Sequence, residues 1–172
     1  NTIAIRCGED QASYLEYGEG VAAIAAFLTS QGIVKGERVA ICASSSISLP
    51  MLIFGVLSAG AQATLINPNY TEREINPLLD ISEPKLIFHD ATSQAAIENA
   101  SEGREIRLID TAEPAENWQD KSVTSLPSAL PRAEDGAIIM FTGGTTGVSK
   151  GVPHSHAKVI AAMQIQEDRW PT

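Results

Sequence analysis

Apolar residues along this chain of 172 residues follow two periods in turn. Short apolar runs bounded by polar or glycine-rich turns mark strands, and apolar positions three and four apart mark helices. Residues 2–6 and 12–15 read as an antiparallel hairpin closed around Gly8-Glu9-Asp10. A helix over 17–31 puts Val21, Ile24, Ala25 and Leu28 on one face and stops at Gly32. Residues 38–44 form a buried strand, 48–59 a mostly apolar helix ended by Gly60, and 63–66 the next strand. Thr71 caps a helix reaching Ile81, with Glu74 three residues on to complete a capping box. A strand over 85–89, a helix over 92–100 and strands over 104–109 and 137–141 complete the series. Strands alternating with helices of this length predict an α/β fold: a mostly parallel sheet, right-handed crossovers and helices on both faces.

One stretch breaks the alternation. Residues 110–135 are acidic, contain Pro114, Pro127 and Pro131, and show no period. A loop of that length is read as a surface segment wrapping the domain, because too little chain follows for a second core. After the last strand, residues 153–170 carry Val159, Ile160, Ala161, Met163 and Ile165 at helical spacing, with Ser155 as the N-cap.

Between that strand and that helix stands Phe141-Thr142-Gly143-Gly144-Thr145-Thr146-Gly147-Val148-Ser149-Lys150-Gly151. Glycines allow several backbone N–H groups to face one concavity, as a phosphate requires. Thr142, Thr145, Thr146 and Ser149 add hydroxyl donors and an oxygen able to face magnesium, and Lys150 adds a mobile positive charge. The ATPase pattern G-x-x-x-x-G-K-[ST] fails because Ser149 precedes the lysine, and G-x-G-x-x-G fails because Gly143 and Gly144 are adjacent. A flexible surface turn is the bland alternative; the strand before and the helix after favour a phosphate loop.

Composition narrows the partners. Acidic residues outnumber basic ones 21 to 12, a formal net charge of −9, and no basic stripe with interleaved aromatics occurs, which argues against nucleic acid. Cys7 and Cys42 lack metal-ligand spacing and read as reduced thiols of a cytoplasmic protein. No apolar run reaches membrane-spanning length and no signal pattern opens the chain, which starts at Asn1 as a trimmed piece or fragment would.

The order Thr142-Gly143-Gly144-Thr145-Thr146-Gly147, then Lys150-Gly151, resembles the signature loop of the adenylate-forming (AMP-binding) superfamily, with Ser149 where that family favours proline. Ser13-Tyr14-Leu15-Glu16-Tyr17, Gly36-Glu37-Arg38-Val39-Ala40-Ile41, Val56-Leu57-Ser58-Ala59-Gly60-Ala61 and Ile66-Asn67-Pro68-Asn69-Tyr70-Thr71 resemble further family segments in family order. The combination is most similar to medium- and long-chain fatty acyl-CoA synthetases. The resemblance implies that residues 1–172 are the N-terminal portion of an adenylation domain of the acyl-CoA synthetase/luciferase-like fold. The rest of that domain and a mobile C-terminal domain would lie beyond Thr172.

It implies a ligase that uses ATP, Mg2+ and CoA to activate a carboxylic acid, a fatty acid by this likeness, as an acyl-adenylate and then a thioester. Thr142, Gly143, Gly144, Thr145, Thr146, Gly147 and Lys150 would bind the nucleotide phosphates, and Thr142 would face the metal. No catalytic residue falls within this chain, which alone would be inactive, and a homo-oligomer stays open. Two other readings remain: a stand-alone phosphate-binding module, and a piece of another adenylating enzyme such as an aryl-CoA ligase or peptide-synthetase domain. A non-catalytic α/β scaffold is a third.

Other residues carry plainer readings. His154 and His156 lack a third ligand and read as surface or capping groups, with a substrate-adjacent role for His156 left open. His89-Asp90 reads as a turn cap, and Trp118 and Trp170 have no aromatic partner in sequence.

Overall fold

Strand side chains alternate between two faces, and in this chain both faces are apolar, so each demands a layer of helices. The computed structural model describes residues 2–112, 122–142 and 149–169. Strand β1 (Ile3–Cys7) pairs antiparallel with β2 (Asp10–Ser13), and Gly8 at φ +61° makes the turn. Then follow α1 (Tyr14–Ser30), β3 (Arg38–Cys42), α2 (Ser48–Ser58), β4 (Gln62–Leu65), α3 (Glu72–Ser82), β5 (Leu86–His89), α4 (Gln94–Ser101) and β6 (Arg107–Asp110). After the long connection come β7 (Gly136–Thr142), β8 (Lys150–Ser155) and α5 (His156–Arg169).

The main sheet has the order β6-β5-β3-β4-β7-β8, with only the β7–β8 pairing antiparallel. Val39, Ile41, Leu86 and Phe88 face α1 and α2, where Val21, Ile24, Leu28, Leu52 and Val56 cover them. Ala40, Cys42 and Ile87 face the other way, against Ile75, Leu78 and Leu79 of α3 and Ile97 of α4. The predicted doubly covered, mostly parallel sheet is what forms.

Capping chemistry sets the helix starts. Ser13 N–H and Oγ–H donate to Glu16 Oε2 at 2.8 and 2.7 Å, a capping box that begins α1 at Tyr14, three residues before the predicted start. Thr71 and Glu74 repeat the motif at α3, at 2.8 and 2.7 Å, as the spacing predicts. Helices α1 and α2 meet closely because Gly55 has no Cβ where Ile24 packs. Strand β6 starts later than the predicted 104, since Arg104 turns back to Asp80, Asn76 and the Ala100 carbonyl.

Two expectations are corrected beyond the Phe141-Thr142 end of β7. Residues 137–141 are not in the last strand: Lys150–Ser155 forms β8 beside it, with partners Ile138↔His154, Met140↔Val152 and Thr142↔Lys150. The helix predicted from 153 therefore begins at His156. Pro153 offers no N–H to a ladder, but β8 is an edge strand, where a missing donor is tolerated. Ser155 Oγ does accept from Lys158 N–H at 3.4 Å, and the His156 and Ala157 N–H groups donate to the Asp135 and Ala133 carbonyls. These bonds supply partners at the start of α5. Residues 122–135 contain no helix or strand.

Candidate functional site

The sheet presents the carboxyl ends of its parallel strands along one edge, the end at which open α/β sheets receive ligands. The hydroxyl- and glycine-rich stretch leaves the sheet there, from Thr142 at the end of β7 to Lys150 at the start of β8. Its two ends belong to an antiparallel pair, and the next described element after it is β8 rather than a helix. Gly143, Gly144, Thr145, Thr146 and Gly147 lie outside the described residues, as do Trp118 and Trp170.

Thr142 and Lys150 are described, and the ladder brings them together. They are directly opposite partners, which places their side chains on one face of the hairpin. Thr142 Oγ1 lies 3.5 Å from the Lys150 carbonyl, both residues are exposed, and Lys150 makes no ion pair among the described residues. A neutral hydroxyl and an unpaired ammonium thus flank the mouth of the loop, a pairing suited to an anion.

The opposite face of the hairpin is closed by α3. A Cβ at Gly151 would stand 2.7 Å from Ile81 Cγ2 and 3.3 Å from Ile139 Cγ2, so this glycine is what lets α3 seat on β8. Where α3 and the hairpin diverge, a cavity of about 510 Å³ opens between Tyr70, Arg73, Glu74, Pro77, Phe141 and Ser149. Little in the residue pattern marks this cavity. Its one early signal was the capping box at Thr71, which fixes how the first turn of α3 is presented.

Two further polar clusters were singled out in the sequence. At the carboxyl ends of β3 and β5, the Asp90 carboxylate accepts from Ser44 N–H at 2.7 Å, Thr92 N–H at 3.0 Å and Ser93 N–H at 3.2 Å. Burial works against its charge, but those bonds outweigh burial and hold its pKa below the usual value. His89 beside it is buried, and its Nδ1 has no partner among the described residues. Asp90 is spent on fastening two turns, which fits the turn-cap reading. His154 and His156 form no metal cluster among the described residues. His156 instead lines an apolar groove of about 350 Å³ with Phe54, Leu57, Leu130, Ile160 and Met163. Its Nε2 is buried without a hydrogen-bond partner among the described residues.

Fold and site together define a doubly wound α/β domain with a glycine- and hydroxyl-rich hairpin at the ligand-receiving edge of its sheet. The chain belongs to the family of AMP-binding enzymes, whose description matches residues 1–172. It is similar to tyrocidine synthase 3 of Brevibacillus parabrevis, 32% identical over 157 residues, which is 91% of this chain and 2% of the synthase. It is likewise similar to a medium/long-chain-fatty-acid–CoA/3-oxocholest-4-en-26-oate–CoA ligase of Mycolicibacterium smegmatis. That likeness is 27% identity over 170 residues, 91% of this chain and 31% of the ligase. Among solved structures, the inhibitor-bound N-terminal domain of FACL13 from Mycobacterium tuberculosis superposes with a TM-score of 0.76 at 28% identity. The superposition covers 86% of this chain and 38% of that one. The chain thus spans well under half the length of each of these relatives. Among the described residues no helix is long and apolar enough to cross a membrane.

Proposed function

We propose that this chain is the N-terminal portion of the adenylation domain of an acid–CoA ligase that activates a fatty acid. The observation that carries the reading is the Thr142–Lys150 pair across the mouth of the hairpin, within a chain that matches the AMP-binding family throughout. In the proposed reaction a carboxylate oxygen bonds to the α-phosphorus of ATP while the bond to the bridging oxygen of the β-phosphate breaks. Pyrophosphate leaves with that electron pair. The sulfur of CoA then attacks the acyl carbon and AMP departs, leaving a thioester.

Within this chain the work is grip and charge neutralisation, which dominate phosphoryl-type transfer. The N–H groups and hydroxyls of Thr142, Gly143, Gly144, Thr145, Thr146 and Gly147 hold the β- and γ-phosphates, and Lys150 offsets their charge. Thr142 would offer magnesium a hard hydroxyl oxygen, the donor type that this ion takes at nucleotide sites. Magnesium held by Thr142 would supply charge neutralisation for the pyrophosphate. Of the long connection over 110–135, residues 113–121 lie outside the described residues; CoA, ATP and the acid are partners of the whole protein in this reading.

The fatty-acid reading draws on the similarity to the mycolicibacterial ligase and to FACL13, and on the Asn67-Pro68-Asn69-Tyr70-Thr71 turn. The similarity to a peptide synthetase keeps amino-acid adenylation as the second reading. Carboxylate-dependent exchange of labelled pyrophosphate into ATP, with the reading frame carried to the length of the family ligases, tests both. Exchange with medium- or long-chain fatty acids is the expected outcome. Exchange only with amino acids selects the second reading, and ATP binding without exchange for any acid reduces the protein to a phosphate-binding module.

A further inference from the structure

Among the described residues, Arg73 is an unspent cation that shares a cavity with Phe141 and Ser149, on the side away from Lys150. It is exposed on the first turns of α3 and has no ion pair or hydrogen bond among the described residues. It lines the cavity of about 510 Å³ whose far wall is Phe141 and Ser149, the residues flanking the hairpin loop on its α3 side. Two features fix that placement. The Thr71–Glu74 capping box sets the start of α3, and the contact of Ile81 over Gly151 seats the helix on β8. Pro77, one turn on, has no N–H for the Arg73 carbonyl, so this end of the helix leans on the cap and on the Glu74 and Ile75 N–H groups, which donate to the Thr71 carbonyl.

The opposing charge in the cavity is Glu74. Its carboxylate is turned away into the cap, where the Thr71 N–H and hydroxyl hold it at 2.8 and 2.7 Å and lower its pKa. Tyr70 and Ser149 add hydroxyls to the lining of the cavity. A planar guanidinium with five donors, beside hydroxyls and at the flank of a glycine-rich loop, has the chemistry of a polyphosphate contact.

We propose that Arg73 is a further polyphosphate-binding residue. It grips the oxygens of the triphosphate, and of the pyrophosphate it yields, from the α3 face of the hairpin while Lys150 grips from the other. This rests on the reading of the Thr142–Lys150 loop as a phosphate site. The two cations flank one loop: Thr142 and Lys150 share one face of the ladder, and Phe141 and Gly151 the other, against α3.

Calorimetric titration of the full-length protein carrying this chain with inorganic pyrophosphate and magnesium, at about 50 mM salt, tests it without requiring turnover. Arg73→Gln should weaken binding about tenfold, and Arg73→Lys should recover part of the loss. Arg6→Gln, which removes the same charge from exposed β1, should change nothing, and all three should melt with the unsubstituted protein. The gap between Arg73→Gln and the unsubstituted protein should narrow as salt rises. Binding by Arg73→Gln within twofold of the unsubstituted protein, or equal losses for Arg6→Gln, overturns the assignment of Arg73 alone. No pyrophosphate binding by the unsubstituted protein overturns the phosphate reading of the loop, and the role of Arg73 with it.

Discussion

The two thiols of this chain have opposite chemical fates, set by where the strands put them. Cys42 is fully buried at the end of β3, and burial, against the opposing hydrogen bond from Ser93, pushes its pKa up to about 11. At pH 8 roughly one molecule in a thousand would carry the thiolate, the only reactive form. Cys7 is half-buried on the outer hairpin. A thiol-specific chromogenic reagent at pH 8 should therefore react rapidly with a single thiol per chain, and Cys7→Ser should abolish that phase; two rapid equivalents would contradict the burial. The folded pKa of Cys42 stands above its ordinary value of 9.0, so its contribution to stability is present below pH 9 and lost as pH rises towards 11. Lys150 is a residue of the opposite kind, exposed and without an ion pair among the described residues, so its value lies in what it binds. In the full-length protein Lys150→Ala should slow carboxylate-dependent pyrophosphate exchange about 10- to 100-fold while leaving the melting temperature in place. An unchanged rate would mark it as a solvated loop lysine.

Element by element, glycines decide how closely the layers approach, and two helical glycines make opposite predictions. Gly55 of α2 has Ile24 of α1 pressed where a Cβ would stand, whereas nothing lies within 4 Å of the same position at Gly18. Gly55→Ala should cost about 1–3 kcal/mol through overpacking, and Gly18→Ala should gain about 0.5–1 kcal/mol through helix propensity. Urea unfolding monitored by circular dichroism separates them; a neutral Gly55→Ala would mean that the α1–α2 contact gives way freely. Most of these elements were legible in the sequence because burial follows periodicity: Val39 and Ile41 against Ala40 and Cys42 are an alternation that only a doubly covered strand needs. The start of α1 was missed because the capping box at Ser13 and Glu16 sits ahead of the apolar face that marked the helix. Strand β8 was missed because Pro153 and the polar residues around it suit an edge strand, where neither a complete ladder nor an apolar pattern is required. The chemistry of the loop was legible as residue types in order. Its hairpin setting, and the approach of α3 carrying Arg73, depend on pairings distant in sequence.

Across the whole molecule, the α5 side of the sheet balances two opposing surface forces. Phe54, Leu130, Ile160, Met163 and Ile165 are all exposed, and several rim the apolar groove that also holds His156. Contiguous apolar surface of this kind drives association. The chain also carries a net charge of −9, and that repulsion keeps copies apart where salt is too low to screen it. Screening acts over about 30 Å at 0.01 M salt but about 10 Å at 0.1 M. This 172-residue chain should therefore sediment as a monomer at low salt and gain average mass as salt rises, the reverse of an association held by ion pairs. Met163→Glu with Ile160→Glu places charge on the groove wall and should keep the chain monomeric at all salt concentrations, with 8-anilinonaphthalene-1-sulfonate fluorescence falling in parallel. Sedimentation of the unsubstituted chain as a monomer in high salt would show that the groove is too small or too divided to hold two copies. Mass that falls with salt would assign the contact to charges instead.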